Sequence, residues 1–431
     1  MKITVVAMGK IGLPLAVQFA RKGHSVIGTD VNQNTVDLVN AGKEPFPGEA
    51  HLQEYLAAVV AEKKLIASTD TTAAVAQSDA VVVVVPLFVD ESGVPDFGWM
   101  DAATESIGKG LKKGTLVSYE TTLPVGTTRN RFALALEKIS GLKAGVDFDL
   151  VFSPERVFTG RVFADLRKYP KLVGGINEQS GARGVAFYRE VLDFDDRPDL
   201  VEKNGVWDLG SSEASELAKL AETTYRDVNI ALANQFALFS ETHGIDVQKV
   251  IDASNSQPFS HIHRPGIAVG GHCIPIYPRM YLWNDPSATV VSAARDANKA
   301  MPEHVVKTLA KLHGNLKDAR VVVLGASYRG GVKESAFSGV FPTVAALTAA
   351  GAKVFVHDPM YSDAELTGYG FAPYHLGEAV DAAILQADHA EYKELTAASL
   401  PGIKTFLDGR GTTKDQNFAG VRYHVVGRAI K

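Results

Sequence analysis

The sequence predicts an α/β protein in which two doubly wound, parallel-sheet domains are joined by a long central helix and a helical region. Strand-like and helix-like stretches alternate over the first two hundred residues, and several strand-like runs are almost wholly apolar, as in strands covered on both faces. Residues 211–243 contain no Gly or Pro and carry apolar residues at helical spacing, which predicts one long helix. The strand–helix alternation restarts at residues 320–324 and 353–357.

The elements follow in order from these patterns. In the N-terminal part, the predicted strands are residues 2–8, 25–30, 80–85, 115–122, 149–153 and 171–176, and helices such as 13–21 and 102–111 lie between them. After the long helix, helices are predicted at 247–254, 290–312 and 341–350, with a loop rich in Gly and Pro at 257–278. We therefore expect an N-terminal domain at 1–205, a central helical region at 206–312 and a C-terminal domain at 313–431.

Composition excludes several classes of protein. A chain of 431 residues with 46% hydrophobic and 22% charged residues is typical of a globular protein with more than one domain. The net charge of −5 argues against nucleic acid or a membrane surface as the main partner. Apolar runs such as 80–86 are too short to cross a bilayer, and the N-terminus lacks the features of a signal peptide. A single cysteine fits a reducing cytoplasm, and we assign no metal site.

The first predicted turn has the pattern of a dinucleotide-binding site. Residues 7–12 read AMGKIG between a strand and a helix, and Asp30 ends the next strand. In this setting, backbone amides at the start of a helix face a pyrophosphate and the carboxylate binds ribose hydroxyls. Ala7 replaces the first glycine, a change that a slightly more open turn would tolerate. Asp30 would repel a 2′-phosphate, which favours NAD over NADP. The cofactor residues predicted here are Met8, Gly9, Lys10, Ile11, Gly12 and Asp30.

Three further residues follow predicted strands. Pro86, Thr122 and Glu155 come after the third, fourth and fifth strands, at the carboxyl edge where α/β proteins bind ligands. Taken alone, each is better explained as a turn or a helix cap. Their shared edge favours a site, and we assign Pro86 and Thr122 to the cofactor.

Cys273 and Lys219 allow both a functional and a structural interpretation. Cys273 lies in the loop 270–275 (GGHCIP), where it is either a small buried apolar residue or a thiolate that captures an aldehyde. Lys219 lies on the long helix with Thr223 and Arg226 on the same face, and it is either functional or a solvated lysine paired with Glu216 or Glu222.

Several ordered motifs together resemble the UDP-glucose/GDP-mannose dehydrogenase family over nearly the whole chain. These are 9–16 (GKIGLPLA), 121–128 (TTLPVGTT), 153–156 (SPER), Lys219 with 224–226 (TYR), 265–266 (PG) with 270–275 (GGHCIP), and 294–298 (ARDAN). The SPER and TYR motifs and His272 before the cysteine are similar to the branch that acts on UDP-N-acetylhexosamines. The resemblance implies an N-terminal Rossmann domain, a central dimerisation helix, a Rossmann-like domain that binds the nucleotide sugar, and a homodimer.

The same resemblance implies a role for each site residue. Cys273 would be the nucleophile, Lys219 would stabilise negative charge on the substrate oxygen, Thr122 would hold a water or the substrate hydroxyl, and Glu155 would assist proton transfer or thioester hydrolysis. The residues expected to contact the sugar nucleotide are Arg156, Arg226, Arg264, Pro265, Gly266, Gly270, Gly271, Tyr328, Arg329 and Lys333.

The sequence departs from the family pattern at two further catalytic positions. Tyr277 stands where the family has an aspartate, and Thr223 stands where it has an asparagine. The resemblance implies that residues at both positions help to place or activate the water that hydrolyses the thioester, and a tyrosine is a poor general base near neutral pH. In addition, residues 328–335 (YRGGVKES) depart from the family pattern, which often has an acidic pair and an arginine there, although Lys333 is able to meet a phosphate as a point charge.

The leading hypothesis is oxidation of a UDP-N-acetylhexosamine to its uronic acid with two NAD, through a thioester on Cys273. One alternative keeps the fold and the cofactor but stops at the aldehyde, or acts on an unusual sugar nucleotide, because of Tyr277 and Thr223. A second alternative is a protein that binds a nucleotide sugar without turnover. The retention of Cys273, Lys219 and Glu155 argues against the second.

Overall fold

A computed structural model describes residues 1–90 and 93–430 of the chain. The chain divides into two units, Met1–Ala221 and Glu222–Lys431, and the long central helix runs through the boundary between them. The division into three domains at 205 and 312 stays a prediction.

The first unit is built on an eight-stranded sheet, and a two-stranded ribbon lies in one of its loops. Its strands are β1 (Lys2–Val6), β2 (Ser25–Thr29), β3 (Leu65–Ser68), β4 (Ala80–Val83), β5 (Phe88–Val89), β6 (Pro95–Asp96), β7 (Leu116–Tyr119), β8 (Asp149–Phe152), β9 (Lys171–Gly175) and β10 (Val206–Asp208). The predicted strands begin within one residue of these, but they end later than the true strands. The residues that follow β1, β4, β7 and β8 turn out of the sheet at one edge, where the predicted site residues lie.

The helices of the first unit cover the sheet. They are α1 (Gly12–Arg21), α2 (Gln33–Asn40), α3 (Leu52–Ala61), α4 (Thr71–Ala76), α5 (Gly98–Gly110), α6 (Leu134–Ser140), α7 (Val162–Lys168) and α8 (Glu178–Val191). Short polar side chains begin several of them. The side chains of Asn32, Asp70 and Asn177 accept hydrogen bonds from backbone amides in the first turns of α2, α4 and α8.

The sheet order of the first unit is β10-β9-β8-β7-β4-β1-β2-β3. The strands from β8 to β3 are parallel, but β9 pairs with β8 in the antiparallel direction, with Val151 opposite Gly175. The prediction of a wholly parallel sheet is therefore wrong at this strand. An apolar run carries no information about strand direction, because both faces of β9 are buried whichever way it runs. As a result, the start of β9 lies at the same edge as the end of β8.

The alternation of side chains along each strand divides the core of this unit into two layers. Ile3 and Val5 of β1 belong to the apolar cluster on one face of the sheet, and Val6 belongs to the cluster on the other. In β4, Val82 packs on the first face while Val81 and Val83 pack on the second. Burial on both faces explains why these strands are almost wholly apolar.

The central helix, α9, spans Ser212–His243, close to the range that the sequence predicts. One stripe of α9 in the second unit is exposed although it is apolar. Tyr225 is 55% exposed, Leu232 47%, Phe236 38% and Phe239 56%. Their spacing of seven, four and three residues places them on one side of the helix.

The second unit contains a five-stranded parallel sheet in the order β12-β11-β13-β14-β15. Its strands are β11 (Arg320–Leu324), β12 (Lys353–His357), β13 (Ala382–Leu385), β14 (Thr405–Asp408) and β15 (Arg422–Val425). Its helices after α9 are α10 (Val247–Asn255), α11 (Tyr277–Asn284), α12 (Thr289–His313), α13 (Val340–Ala349) and α14 (Asp363–Gly368). The predictions of β11 and β12 are confirmed at both ends.

The predicted loop at 257–278 is wrong at its end, because residues 277 and 278 belong to the first turn of helix α11. Tyr277 is the first residue of α11, and its N–H donates to the carbonyl oxygen of Cys273 at 2.9 Å. Pro278 follows in the first turn, where a helix tolerates proline because the amide there has no partner within the helix. None of the helices in residues 1–90 and 93–430 has the length and apolar character needed to cross a membrane.

A buried carboxylate ties the end of α9 to the last strand of the second unit. Glu241 accepts a hydrogen bond from the Gly427 amide at 2.9 Å and lies 2.7 Å from His304 Nε2 and 3.5 Å from His424 Nε2. Burial alone would raise the pKa of Glu241, but the bonds from both histidines and from the amide lower it to about 2. The ionised carboxylate therefore stabilises the folded unit.

We expect Glu241→Gln to lower the free energy of unfolding by about 3 kcal/mol at pH 7. The pKa in the folded state is below the ordinary value, so this stabilisation is present above the unfolded pKa and disappears as the pH falls towards 2. Urea unfolding followed by circular dichroism at pH 7 and pH 3 measures the difference between the two proteins. A loss of equal size at both pH values would contradict this explanation.

Candidate active site

The turn after β1 brings the predicted cofactor residues to the start of α1. Ala7 has φ +76°, the left-handed conformation that glycine adopts more easily, and its N–H donates to Thr29 O at 2.8 Å. The turn therefore accommodates Ala7 in a left-handed conformation, at the cost of backbone strain. Gly12 is needed for close approach, since a Cβ there would lie 1.9 Å from the carbonyl oxygen of Ala7. A Cβ at Gly9 would meet no atom within 4 Å.

We expect Ala7→Gly to raise the free energy of unfolding by about 1 kcal/mol, because it removes the strain of a left-handed alanine. Urea unfolding at neutral pH measures the change. Ala58→Gly, at an exposed position inside α3, is the matched control and should lower stability by about 1 kcal/mol. Destabilisation by both substitutions would contradict the assignment of strain to Ala7.

Asp30 lies directly after β2 and connects this strand to the same turn. One carboxylate oxygen accepts from the Met8 amide at 2.9 Å, and the other accepts from the Asn32 amide at 2.9 Å. Met8 is buried, whereas Lys10 is exposed. A carboxylate at this position is placed as a ribose-binding acid is in dinucleotide folds. The assignment of these residues to NAD contacts stays a prediction.

The other predicted residues lie at the carboxyl ends of neighbouring strands. Pro86 follows β4 and is exposed, Thr122 follows β7 and is 6% exposed, and Glu155 follows β8 and is half-buried. Because β8, β7, β4 and β1 are adjacent and parallel, these residues share one edge of the sheet with the turn at Ala7. The sequence predicted this common edge.

Glu216 of α9 anchors the loop that contains Thr122. Its two carboxylate oxygens accept from the amides of Gly126 and Thr128 at 2.6 and 2.8 Å, and from the Thr128 hydroxyl at 2.7 Å. Burial raises the pKa of Glu216 to about 7, against the effect of these three bonds. Glu216 therefore holds the TTLPVGTT motif, a role that the sequence analysis did not assign to it.

Lys219 is buried one turn further along α9. It is 8% exposed, so the interpretation as a solvated lysine is wrong. Thr223, one turn beyond, is 4% exposed, and Arg226 is half-buried. A buried ammonium group is a stronger electrostatic stabiliser than one surrounded by water.

Glu155 belongs to a buried charged network at the edge of the sheet in the first unit. Lys171, the first residue of β9, lies 3.0 Å from Glu155 and 2.6 Å from Glu120, and the Tyr188 hydroxyl donates to Glu120 at 2.6 Å. Burial alone would raise the pKa of Glu155, but the charge of Lys171 and hydrogen bonds lower it. Burial raises the pKa of Glu120 to about 7. No motif in the sequence indicates Lys171, Glu120 or Tyr188 as members of this site.

In the second unit, Cys273 is exposed on a loop that packs against residues 328–337. A Cβ at Gly270 would lie 2.6 Å from Tyr328 Cβ, and Gly271 has φ +94° and donates its amide to Ala336 O at 2.9 Å. His272 approaches Glu334 at 3.2 Å. The interpretation of Cys273 as a buried apolar residue is therefore wrong. The two glycines bring the backbone close to Tyr328 and leave the thiol accessible.

The predicted nucleotide-sugar residues divide into two groups. Pro265, Gly266, Gly270 and Gly271 form one continuous backbone segment, and Tyr328 lies against it. The charged residues instead contact protein groups: Arg264 pairs with Asp252, Lys333 pairs with Glu365 at 2.5 Å, Arg329 donates to the Tyr328 hydroxyl at 3.1 Å, and Arg156 donates to Pro170 O at 3.2 Å.

Arg410 is a further candidate that the sequence analysis did not name. It follows β14 and donates to the carbonyl oxygens of Gln386 and Tyr328 at 2.7 and 2.9 Å. A Cβ at Gly266 would lie 3.3 Å from its Nη1 atom. A guanidinium beside this backbone segment gives the predicted substrate surface a fixed positive charge.

Comparison with known proteins identifies the family. Three family segments match in order: the NAD-binding domain of the UDP-glucose/GDP-mannose dehydrogenase family at residues 1–192, its central domain at 213–300 and its UDP-binding domain at 322–415. The chain is 31% identical to a UDP-N-acetyl-D-mannosamine dehydrogenase of Pyrococcus horikoshii, over 99% of each chain. It is also 31% identical to a UDP-N-acetyl-D-glucosamine 6-dehydrogenase of Pseudomonas aeruginosa, over 93% of each chain.

Solved structures agree with the sequence comparison. A UDP-D-ManNAc dehydrogenase from Pyrococcus horikoshii superimposes with a TM-score of 0.88 at 29% identity, covering 100% of both chains. The predicted fold class, the use of NAD and the family resemblance are confirmed. The chain belongs to the UDP-glucose/GDP-mannose dehydrogenase family, and it is an NAD-dependent oxidoreductase that acts on the CH–OH group of a nucleotide sugar.

Proposed function

We propose that the protein oxidises the primary alcohol of a UDP-N-acetylhexosamine to a carboxylate with two NAD, through a thioester on Cys273. The observation that carries this proposal is the exposed thiol of Cys273 on a loop shaped by Gly270 and Gly271. The names of the relatives support an N-acetylhexosamine, and the UDP-binding segment supports the nucleotide.

The proposed reaction has three steps. Oxidation of the alcohol gives an aldehyde, with one hydride lost to NAD and one proton released. The thiolate of Cys273 adds to the aldehyde, and loss of a second hydride to a second NAD gives the thioester. Water then breaks the carbon–sulfur bond, which releases the carboxylate and restores the thiol. Overall, one alcohol, two NAD and one water give one carboxylate, two NADH and three protons.

Residues of the chain assist each step. Lys219 stabilises the negative charge that develops on the substrate oxygen, and Thr122 positions the hydroxyl or a water. Glu155, kept ionised by Lys171, accepts a proton from the hydrolytic water. The N–H of Tyr277 bonds to the Cys273 carbonyl and so helps to define the shape of the loop. Thr223 contributes a hydroxyl on the same face of α9 as Lys219.

The turn at Ala7 and Asp30 holds the adenosine ribose and the pyrophosphate of NAD in this proposal. The backbone from Pro265 to Gly271 holds the sugar nucleotide, with Arg410 beside Gly266. Exposed Arg329 and Lys333 provide further positive charge for the diphosphate.

The proposal is tested by counting NADH formed per sugar consumed, with excess NAD and separate UDP-GlcNAc, UDP-ManNAc, UDP-glucose and GDP-mannose. Two NADH per UDP-N-acetylhexosamine is the expected result. One NADH per sugar would favour an enzyme that stops at the aldehyde, as the presence of Tyr277 and Thr223 suggests. Absence of turnover with every sugar would favour a protein that only binds nucleotide sugars, and a preference for UDP-glucose or GDP-mannose would contradict the proposed substrate class.

We also propose that the exposed stripe on α9 pairs with a second copy of the chain. Burying Leu232, Phe236 and Phe239 against a partner removes apolar side chains from water, at about 25 cal/mol per Å². We expect a dimer by light scattering, and a monomer for the double variant Leu232→Glu/Phe239→Glu. Val201→Glu, at a loop residue that is 97% exposed, controls for added charge and should stay dimeric. A monomeric native protein would contradict this proposal.

A further inference from the structure

The buried network around Glu155 contains one ammonium group, that of Lys171, and a second carboxylate, that of Glu120. The Lys171 side chain is 4% exposed and that of Glu120 is fully buried, while Glu155 is 11% exposed at its side chain. Thus Lys171 lies between two carboxylates, and one of them, Glu155, retains access to the surface of the unit.

Antiparallel pairing of β9 with β8 creates this arrangement. Glu155 follows the end of β8, Lys171 starts β9, and Glu120 follows β7, so all three lie at one edge of the sheet. A parallel β9 would have placed Lys171 at the opposite edge. The antiparallel pairing therefore places the ammonium group of Lys171 beside Glu155, the carboxylate that the proposed reaction uses.

We propose that Lys171 and Glu120 are positioning residues that keep Glu155 ionised for the hydrolysis of the thioester. This inference rests on the proposed function, in which Glu155 takes a proton from water. Lys171 attracts the charge of Glu155 across 3.0 Å, and the Arg156 amide donates to the same carboxyl group at 2.7 Å. Glu120 fixes Lys171 in place across 2.6 Å and is itself held by the Tyr188 hydroxyl.

Charge balance explains why two acids share one lysine. If both acids were ionised, the network would carry one uncompensated negative charge in a buried place, which is unfavourable. A proton held by Glu120 makes the network neutral and leaves Glu155 as the carboxylate. The Tyr188 hydroxyl also lies 2.7 Å from Ser118, so the far end of Glu120 is fixed by a chain of hydrogen bonds.

A small cavity gives Glu155 contact with a water-sized space. Its volume is about 10 Å³, close to what one water requires, and both Glu155 and Lys171 line it. The other ionisable groups around this cavity are Arg156, Asp165 and Tyr169. Asp165 of α7 accepts hydrogen bonds from the Phe158 amide and from Arg161 Nε, at 3.0 and 2.9 Å.

The test follows the decay of the thioester by rapid quench as a function of pH, in the full-length enzyme with NAD and a UDP-N-acetylhexosamine. We expect Lys171→Met to move the acid limb of the decay rate to higher pH by at least about one unit, because two buried acids then face each other without the lysine. Lys171→Arg should restore most of the wild-type profile. Glu120→Gln should leave the acid limb near its wild-type position, because Glu120 already holds a proton in the neutral network. Glu120→Ala should move the limb to higher pH, because Lys171 then loses the contact that holds it beside Glu155. General structural damage does not spare the two conservative variants, Lys171→Arg and Glu120→Gln.

Two outcomes separate failure of this inference from failure of the proposed function. Normal hydrolysis in Glu155→Gln at every pH would overturn the role of Glu155 itself. Loss of hydrolysis in Glu155→Gln, together with an unchanged profile in folded Lys171→Met, would overturn only the role of the network. If Lys171→Met does not fold by circular dichroism, Glu120→Ala provides the test, and an unchanged acid limb in that variant overturns the inference.

Discussion

Replacing Cys273 by serine is expected to reduce acid formation by at least about 1,000-fold. A serine hydroxyl is almost wholly protonated at neutral pH and does not capture the aldehyde as a thiolate does. Because Cys273 is exposed on its loop, the substitution should leave folding and the binding of nucleotides unchanged. The measurements are NADH production and chromatography of the sugar product, with titration of NAD and UDP as the binding control. Acid formation at the wild-type rate would contradict a covalent role for Cys273.

Gly12→Ala is expected to destabilise the first unit by about 3 kcal/mol or more, because its Cβ would lie 1.9 Å from Ala7 O and 2.8 Å from Val84 Cγ2. For a unit of this size, that loss lowers the Tm by roughly 6 to 12 °C. Gly9→Ala is the matched control, since a Cβ there meets no protein atom within 4 Å. Thermal unfolding without NAD should therefore show a large change for Gly12→Ala and a small change for Gly9→Ala.

The variants Gly9→Ala and Gly12→Ala should also differ in their affinity for NAD. The backbone at Gly9 is expected to approach the pyrophosphate, so a methyl group there should weaken NAD binding by about tenfold or more while the fold is kept. Fluorescence titration measures this affinity. Unchanged NAD binding in folded Gly9→Ala would place the cofactor elsewhere, and equal thermal stability of the two variants would contradict the packing at Gly12.

The sequence predicted the elements better than it predicted their directions. Strands such as β1 and β4 were recognisable because residues buried on both faces are almost all apolar. The same pattern fits either direction of β9, so the antiparallel pairing was missed. Helix α11 was hidden because Pro278 in its first turn looks like part of a loop.

The candidate site was predictable where a motif follows a strand, and not where residues meet across the sheet. The shared position of Asp30, Thr122 and Glu155 was predictable because each follows a strand at the carboxyl edge. Lys171 was missed because nothing near it in the chain indicates that it meets Glu120 and Glu155. Helical spacing likewise placed Lys219 on a face of α9 but gave no information about its burial.

At Ala7, the departure from the glycine motif adds backbone strain, and the turn after β1 keeps a left-handed residue at this position. From the sequence, a slightly more open turn would tolerate alanine in place of the glycine. The turn keeps its left-handed residue, and the hydrogen bond from Ala7 to Thr29 is retained. The backbone strain at Ala7 is local, and it is small enough for the surrounding sheet to hold the residue in this conformation.

The most direct measurement of the proposed chemistry is the mass of the enzyme itself during turnover. Glu155→Gln should slow hydrolysis, so rapid acid quenching with NAD and a UDP-N-acetylhexosamine should trap the acyl enzyme. Intact-mass and peptide analysis should then show an adduct on the peptide that contains Cys273, with the mass of the nucleotide-linked uronic acid less one water. Formation of two NADH per sugar with no adduct on that peptide would contradict a thioester on Cys273.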